Sequence, residues 1–167
     1  MNKINSLDIS VAALAAVSCL GALAGLPIWA LFIGWAWYFT LGATVAGFKQ
    51  AIPPMLAGSM LAVLAIVLID SLSGMLSPLG AMIFAVFITV FLLMLTLKIK
   101  GLDCSLASFN SYSCMFAGYY AASFPVQPVY VYNLGYAVLW ITGANFLGLV
   151  FGWLSIKLAG LGKTASE

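Results

Sequence analysis

The sequence predicts an all-α protein, a six-helix transmembrane bundle built from two inverted three-helix repeats. Three observations lead to this prediction. Hydrophobic residues make up 65% of the 167 residues and charged residues only 6%, whereas a soluble domain carries about a quarter charged residues. The apolar residues fall into six runs separated by short turns, and the lysines stand at the ends of those runs. The whole chain, 1–167, is therefore expected to be one integral membrane domain.

The first two segments cover residues 9–26 and 27–47. Gly21 and Gly25 stand in a GxxxG relation in the first segment, which allows another helix to approach closely. Pro27 is suited to the first turn of the second segment. That segment also concentrates aromatic side chains between Trp35 and Phe39, near its middle rather than at a membrane interface.

Prolines, turns and a linker also mark the boundaries of the remaining segments. Pro53 and Pro54 are expected to open the third span, which ends near Asp70 before a turn at 71–78. The fourth span, 79–97, is the most uniformly apolar and is expected to face lipid. The linker 125–128 separates a fifth segment from a sixth span at 129–157.

The fifth segment, 103–125, is unusually polar for a segment long enough to cross a bilayer. Unpaired hydrogen-bonding groups in hydrocarbon cost several kcal/mol each, so this segment must face other helices, a partner chain or a water-filled path. We therefore expect the other segments to enclose it. Its central polar run comprises Ser105, Ser108, Asn110, Ser111, Tyr112, Ser113 and Cys114.

The lysines favour six complete crossings. With six crossings, all of them lie on one side of the membrane and the other side carries only Asp70; re-entrant second and fifth segments would remove this bias. The positive-inside rule then places both termini in the cytoplasm. The six lysines are Lys3, Lys49, Lys98, Lys100, Lys157 and Lys163.

An internal repeat is also indicated, with one copy at about 9–72 and the other at about 78–158. Three spans per copy is an odd number, so the second copy must be inverted relative to the first, and such architectures place function at the paired middle segments. Residues 77 positions apart match in kind: Ala30 with Ala107, Phe32 with Phe109, Trp35 with Tyr112, Phe39 with Phe116, and Gly58 with Gly135.

The second segment resembles a known family. Its pattern Trp29-x-x-Phe32-Ile33-Gly34-x-x-x-Tyr38-Phe39, followed by Gly47-Phe48-Lys49, is similar to that of the YcdZ-like family of small bacterial inner-membrane proteins. The likeness covers most of the chain in its order of apolar segments. It implies a multi-pass protein of the bacterial inner membrane, and the family's function is unassigned.

Several function classes are disfavoured by the residue types present. The chain has no histidine, no arginine and no acidic residue well inside a span, which argues against an enzyme, a proton relay and ion coupling. Cys19, Cys104 and Cys114 show no ligand spacing, so no metal site and no cofactor is expected. The few basic residues form no patch, so nucleic-acid binding is not expected either.

Uncharged hydrogen-bonding groups surrounded by aromatic rings are suited to a passive path for a small neutral or weakly polar solute. We therefore expect a channel or facilitator whose path lies between the second and fifth segments, with Asn110 and Ser111 facing Gly34, Trp35 and Tyr38. The complete candidate solute path is Gly34, Trp35, Tyr38, Phe39, Asn110, Ser111, Phe116 and Asn145.

One alternative function stays open at this stage. The same polar groups and glycines could serve only helix packing, which would make the protein a membrane scaffold or accessory subunit. Apart from the lipid bilayer and a small neutral solute, the expected partner is a second copy of the chain. The glycine pairs Gly21/Gly25 and Gly148/Gly152 provide close-packing faces for such a homo-oligomer.

Overall fold

The computed structural model describes residues 4–164, in which every regular element is helical and no strand occurs. The last three helical stretches run on without a break, so the described residues form six helices. This confirms the all-α prediction. The elements are α1 (Ser6–Ser18) with a 3-10 extension (Cys19–Ala24), α2 (Ile28–Thr40), α3 (Val45–Leu72), α4 (Pro78–Thr96), α5 (Ser105–Tyr120), and α6 (Tyr130–Ala137) joined by a π-helical segment (Val138–Thr142) to α7 (Gly143–Thr164).

Four of the six helices are long and apolar enough to cross a membrane. They are α1 with its extension, α3, α4, and the continuous α6–α7 helix. By contrast, α2 has 13 residues and α5 has 16, which at 1.5 Å per residue gives lengths of about 20 and 24 Å. A hydrocarbon core is about 30 Å thick. The protein is therefore a multi-pass membrane protein with four long helices and two short middle ones.

Backbone conformation explains why the middle helices are short. Helix α2 was expected to continue to Gly47 but ends at Thr40, because Gly42 (φ 87°) and Ala43 (φ 53°) both adopt left-handed conformations. The turn is closed by two hydrogen bonds: the Ala43 N–H donates to the Tyr38 carbonyl at 2.9 Å, and the Tyr38 hydroxyl donates to the Ala43 carbonyl at 2.8 Å. Helix α5 ends in a similar way before Ala122, which has φ 50°.

The third span begins earlier than its prolines suggest. Pro53 and Pro54 lie inside α3, which starts at Val45 and is capped by the Thr44 hydroxyl accepting the Gly47 N–H at 3.1 Å. A proline has no N–H to donate, but it is tolerated where neighbouring helices or polar groups satisfy the backbone that it leaves free. The expectation that the proline pair opens this helix is therefore wrong.

Each middle helix packs mainly on the last helix of the opposite half. Helix α2 lies along α7, and α5 lies along α3, whereas α2 and α5 share a smaller contact. Helix α1 packs on α7, and α4 packs on α3. The other four helices therefore pack mainly against α3 or α7.

Glycines allow these helices to cross closely. A methyl group at Gly34 would collide with the Asn145 carbonyl oxygen, and one at Gly58 would collide with the Ser108 carbonyl oxygen. Gly148 and Gly152 lie against Leu31 and Tyr38 of α2. These two glycines, expected to contact another copy of the chain, are therefore used for packing within it.

The charged groups divide between the two ends of the bundle. Lys49 and Trp153 line the same groove, and the Lys157 ammonium lies 5.8 Å from the Trp153 ring centroid. At the other end, the Tyr130 hydroxyl donates to the Asp70 carboxylate at 2.6 Å. Lys98 and Lys100 follow the end of α4, which returns to the Lys49 end. Lys3 lies outside the described residues, as does the side chain of Lys163.

Candidate functional site

A layer of uncharged polar side chains lies at the centre of the bundle, and Asn145 connects the helices that contribute to it. The Asn145 side chain is fully buried where α2, α5 and α7 meet. Its amide nitrogen donates to the Ala30 carbonyl at 2.7 Å and lies 3.6 Å from the Cys114 sulfur. One residue therefore links both middle helices to α7.

The second part of this layer lies between α3 and the π-helical segment. The Thr142 hydroxyl donates to the Ser59 hydroxyl at 2.9 Å, and both residues are buried. A π turn adds one residue to the helical repeat, which rotates the side chains that follow it relative to a regular α-helix. We attribute the simultaneous inward position of Thr142 and Asn145 to this change in register.

The polar run of α5 is divided between its two faces. Ser108 and Ser111 are fully buried, and the Ser111 hydroxyl donates to the Ser108 carbonyl at 3.0 Å, close to Gly58 of α3. The Tyr112 hydroxyl shares a 2.8 Å hydrogen bond with the Thr89 hydroxyl of α4. Ser113, in contrast, is exposed. Helix α5 thus directs much of its polar surface into the protein, as its composition predicted.

Four buried polar atoms of the described chain have no hydrogen-bond partner. They are the Asn145 side-chain oxygen, the Ser108 hydroxyl, and the indole nitrogens of Trp35 and Trp37. More than nine tenths of buried polar groups in proteins are paired, and an unpaired one costs about 1–3 kcal/mol. Both donors and acceptors are thus left unpartnered inside the protein, which is costly unless they serve another purpose.

The predicted site residues separate into an inner and an outer set. The inner set is buried and consists of Gly34, Trp35, Tyr38, Ser111 and Asn145. The outer set consists of Phe39, which is 38% exposed, and the half-buried Asn110 and Phe116.

The contacts between these residues differ from those expected. Ser111 lies against Gly58 of α3, and the nearest neighbours of Gly34 are backbone atoms of Asn145 in α7. Asn110 donates a hydrogen bond to the Leu106 carbonyl of its own helix at 2.8 Å. The middle helices thus make their closest contacts with α7 and α3, and the expected facing of Ser111 on Gly34 is replaced by these two separate contacts.

Sequence reasoning missed Ser59 and Thr142. Ser59 follows Gly58 directly, so a small-polar pair in the third span was the available signal. The residue pattern at 138–142 does not predict a π turn. Within the described residues, no group of three His, Cys, Asp or Glu side chains could hold a metal ion.

An open cleft of about 380 Å³ lies at one end of the middle helices. The start of α2 and the loop after α5 line it, with Pro27, Trp29, Ser123 and Phe124 among the lining residues. Below it, a methyl group added at Gly118 of α5 would meet the Ile141 side chain first and then the Trp29 ring. The cleft therefore approaches the α2–α5 contact from the end that carries Asp70.

The family of the chain can be stated from a comparison of its sequence. The sequence model of a protein family described as protein of unknown function (DUF1097) matches residues 8–160, nearly the whole chain. The chain belongs to this family. Among curated proteins and among solved structures, no match was found. The expected membership in an uncharacterised family is supported, while the YcdZ-like name is not confirmed.

Proposed function

We propose that the protein is a membrane channel or facilitator for a small neutral or weakly polar solute, with its path between the two middle helices. The observation that carries the proposal is that the Ser108 hydroxyl of α5 and the Asn145 side-chain oxygen of α7 have no hydrogen-bond partner, although both residues are fully buried. A solute with N–H or O–H groups would supply the donors that these acceptors lack.

The short middle helices support the same function. Unusually short helices at corresponding positions of two halves are the arrangement in which inverted-repeat transporters place their binding sites. Here α2 and α5 both stop short of full membrane thickness, and both end at a residue with positive φ, Ala43 and Ala122 respectively. At the irregular ends of these helices, a solute could form hydrogen bonds with backbone N–H and C=O groups that the helix leaves unpaired.

We further propose that the two halves are inverted repeats. Exchanging α1 with α4, α2 with α5, and α3 with α7 leaves the main helix contacts unchanged: the middle helices on α3 and α7, and α1 and α4 on the same two helices. The residues preceding the middle helices also correspond: Pro27 has φ −73° and ψ 92°, and Cys104, 77 positions later, has φ −83° and ψ 88°.

The repeat register changes after the middle helices. Gly58 contacts Ser108 and Ser111, whereas Gly148 contacts Leu31 and Gly34, their counterparts at the 77-residue offset. The partner of Gly58 in the proposed repeat is therefore Gly148, and not Gly135. The longer linker at 121–129, compared with 41–44, accounts for part of this shift.

We also propose a location and an orientation. The resemblance noted in the sequence suggests the bacterial inner membrane, and the lysines suggest six crossings with the lysine-bearing end and both termini in the cytoplasm. The cleft beside Trp29 would then open to the periplasm. Since the polar layer is buried, solute passage requires a second conformation that opens the α2–α5 contact below the cleft.

A non-transporting scaffold is the second candidate, and the close glycine crossings favour it. The Gly34–Asn145 and Gly58–Ser108 contacts bring helix backbones together and would suit a static bundle. In a scaffold, however, the unpartnered Ser108 hydroxyl would only reduce stability. The two functions therefore predict different results when this hydroxyl is removed.

The test uses Ser108→Ala in proteoliposomes, with urea and glycerol as solutes. Removal of an unpartnered hydroxyl breaks no internal hydrogen bond, so the variant should fold at least as stably as the wild type. If the hydroxyl binds a passing solute, uptake should fall by about tenfold, the equivalent of roughly 1.4 kcal/mol.

Ser155→Ala is the matched control. Ser155 is also fully buried, but its hydroxyl donates to the Gly152 carbonyl at 2.7 Å in the last part of α7. This variant should lose some stability and keep its uptake rate. Wild-type uptake no faster than that of empty liposomes, or equal uptake by wild type and Ser108→Ala, would favour the scaffold.

A further inference from the structure

The exposed side of α5 carries polar groups that the central layer does not use. Phe109 is 37% exposed and Tyr120 is 48% exposed; Ser113 lies between them on the same side, and Asn110 is half-buried at its edge. Asn110 and Ser113 each stand more than one helical turn from either end of the helix. A carboxamide and a hydroxyl are therefore presented at membrane depth.

Helix α2 provides an internal comparison, because its exposed side has the same aromatic spacing. Phe32 is 41% exposed and Phe39 is 38% exposed, 77 positions before Phe109 and Phe116. Between them, however, α2 has Ile33 and Ala36 where α5 has Asn110 and Ser113. The side of α2 is thus compatible with lipid, and the side of α5 differs from it at two polar positions.

Hydrocarbon would penalise these two positions. Asn110 uses one amide hydrogen in its bond to the Leu106 carbonyl, which leaves its other amide hydrogen free to bind a partner. Polar side chains in membrane helices normally face protein or water, because an unsatisfied group costs several kcal/mol in lipid. The α5 face therefore requires a partner.

We propose that this partner is a second copy of the chain, with α5 packed in parallel against α5 around a two-fold axis normal to the membrane. Both copies share one orientation in the bilayer, and a two-fold interface must be complementary to itself. Carboxamides and hydroxyls meet this requirement because each donates and accepts, whereas a charged side chain would repel its own copy.

The aromatic residues complete this surface. Phe109 and Phe116 flank Ser113 along the helix and supply the apolar contact area that a hydrogen bond alone would not provide. This surface takes the place of the dimer interface predicted at Gly148 and Gly152, because those two glycines pack against α2 within one chain. The second copy thus accounts for Asn110 and Phe116, the two outer residues that lie on α5.

Disulfide crosslinking in native membranes tests this interface. The background is Cys19→Ala, because Cys19 is exposed while Cys104 and Cys114 are buried. Ser113→Cys should give a crosslinked dimer on mild oxidation. Ala36→Cys, at the matching exposed position of α2, should stay monomeric. Absence of a dimer for Ser113→Cys, or equal dimer yields at both positions, would overturn the proposal.

A second measurement examines the hydrogen bond itself. Asn110→Leu should weaken the dimer by about threefold to tenfold, the range expected for one hydrogen bond between membrane helices. Ile33→Leu is the control and should leave dimerisation unchanged, as measured by single-molecule photobleaching in liposomes of varied protein density. If Asn110→Leu fails to fold, Asn110→Ala replaces it, and unchanged dimerisation in the folded variant would contradict the proposed role of Asn110.

Discussion

Single glycines decide where the helices of this protein can cross. At Gly34 and Gly58 the missing side chain lets a carbonyl of the neighbouring helix occupy the position that a methyl group would take. At Gly135 a methyl group would meet no described atom within 4 Å. The same residue type therefore serves as a packing requirement in one helix and has no packing role in another.

This contrast gives a residue-scale prediction. Gly34→Ala should destabilise the protein by at least about 1–3 kcal/mol, because the added methyl group collides with the α7 backbone, which cannot move aside cheaply. Gly135→Ala should be neutral or stabilising by up to about 1 kcal/mol, because alanine favours the helix. Unfolding in mild detergent measures both variants, and equal stability of the two would contradict the α2–α7 crossing.

At the scale of the elements, the two short helices and the π-helical segment position the polar layer. The short helices each end shortly before a residue with positive φ, Ala43 and Ala122, and the π segment places Thr142 beside Ser59. Two contacts fasten the last helix at the Asp70 end: the Tyr130–Asp70 hydrogen bond and the 3.2 Å bond from the Trp140 indole to the Ala24 carbonyl. They hold α6 against α3 and the π-helical segment against the end of the α1 extension.

The hydrogen bond between α6 and α3 should therefore contribute to stability. Tyr130→Phe removes the donor to Asp70 while keeping the ring, and should cost about 1 kcal/mol, since the pair is partly exposed to water. Tyr132→Phe is the control; Tyr132 is 65% exposed, and its change should stay within about 0.5 kcal/mol. A cost for Tyr130→Phe no larger than that of the control would show that the α3–α6 link is not stabilising.

At the scale of the whole molecule, the helix directions bring the described lysines to one end of the bundle. Lys49, Lys98 and Lys157 occur at one end and Asp70 at the other. The helix arrangement thus agrees with the grouping of lysines that six crossings require. The positive-inside rule then predicts which end is cytoplasmic.

Cysteine labelling in intact cells tests this orientation. In the Cys19→Ala background, Met75→Cys should react with a membrane-impermeant maleimide added outside, because Met75 is 81% exposed at the Asp70 end. Lys49→Cys and Lys98→Cys should react only after the cells are permeabilised. External labelling of Lys49→Cys would contradict the six-span arrangement, and labelling of all three positions from one side would contradict the helix directions.

Part of the candidate site was predictable from the sequence. The polar run of the fifth segment predicted that Ser108 and Ser111 face protein, and both are buried. Their partner helix was not predictable, because α3 and α7 are apolar on several sides and carry no amphipathic pattern that singles out a neighbour. The contribution of Thr142 was not predictable either, since it depends on a π turn that the neighbouring packing selects.

The sequence by itself determined that this is an all-helical membrane protein. A chain with so few charges cannot stay in water, and in lipid each backbone group must be paired within a helix or a closed barrel; the lengths of the apolar runs here favour helices. Only the tertiary structure decided that α2 rests on α7, that α5 rests on α3, and that Asn145 joins them. The reason is physical: lipid is as apolar as the side chains, so hydrophobicity does not choose between neighbouring helices. That choice depends on the close fit of backbones at Gly34, Gly58 and Gly148, which becomes visible only when the helices are packed together.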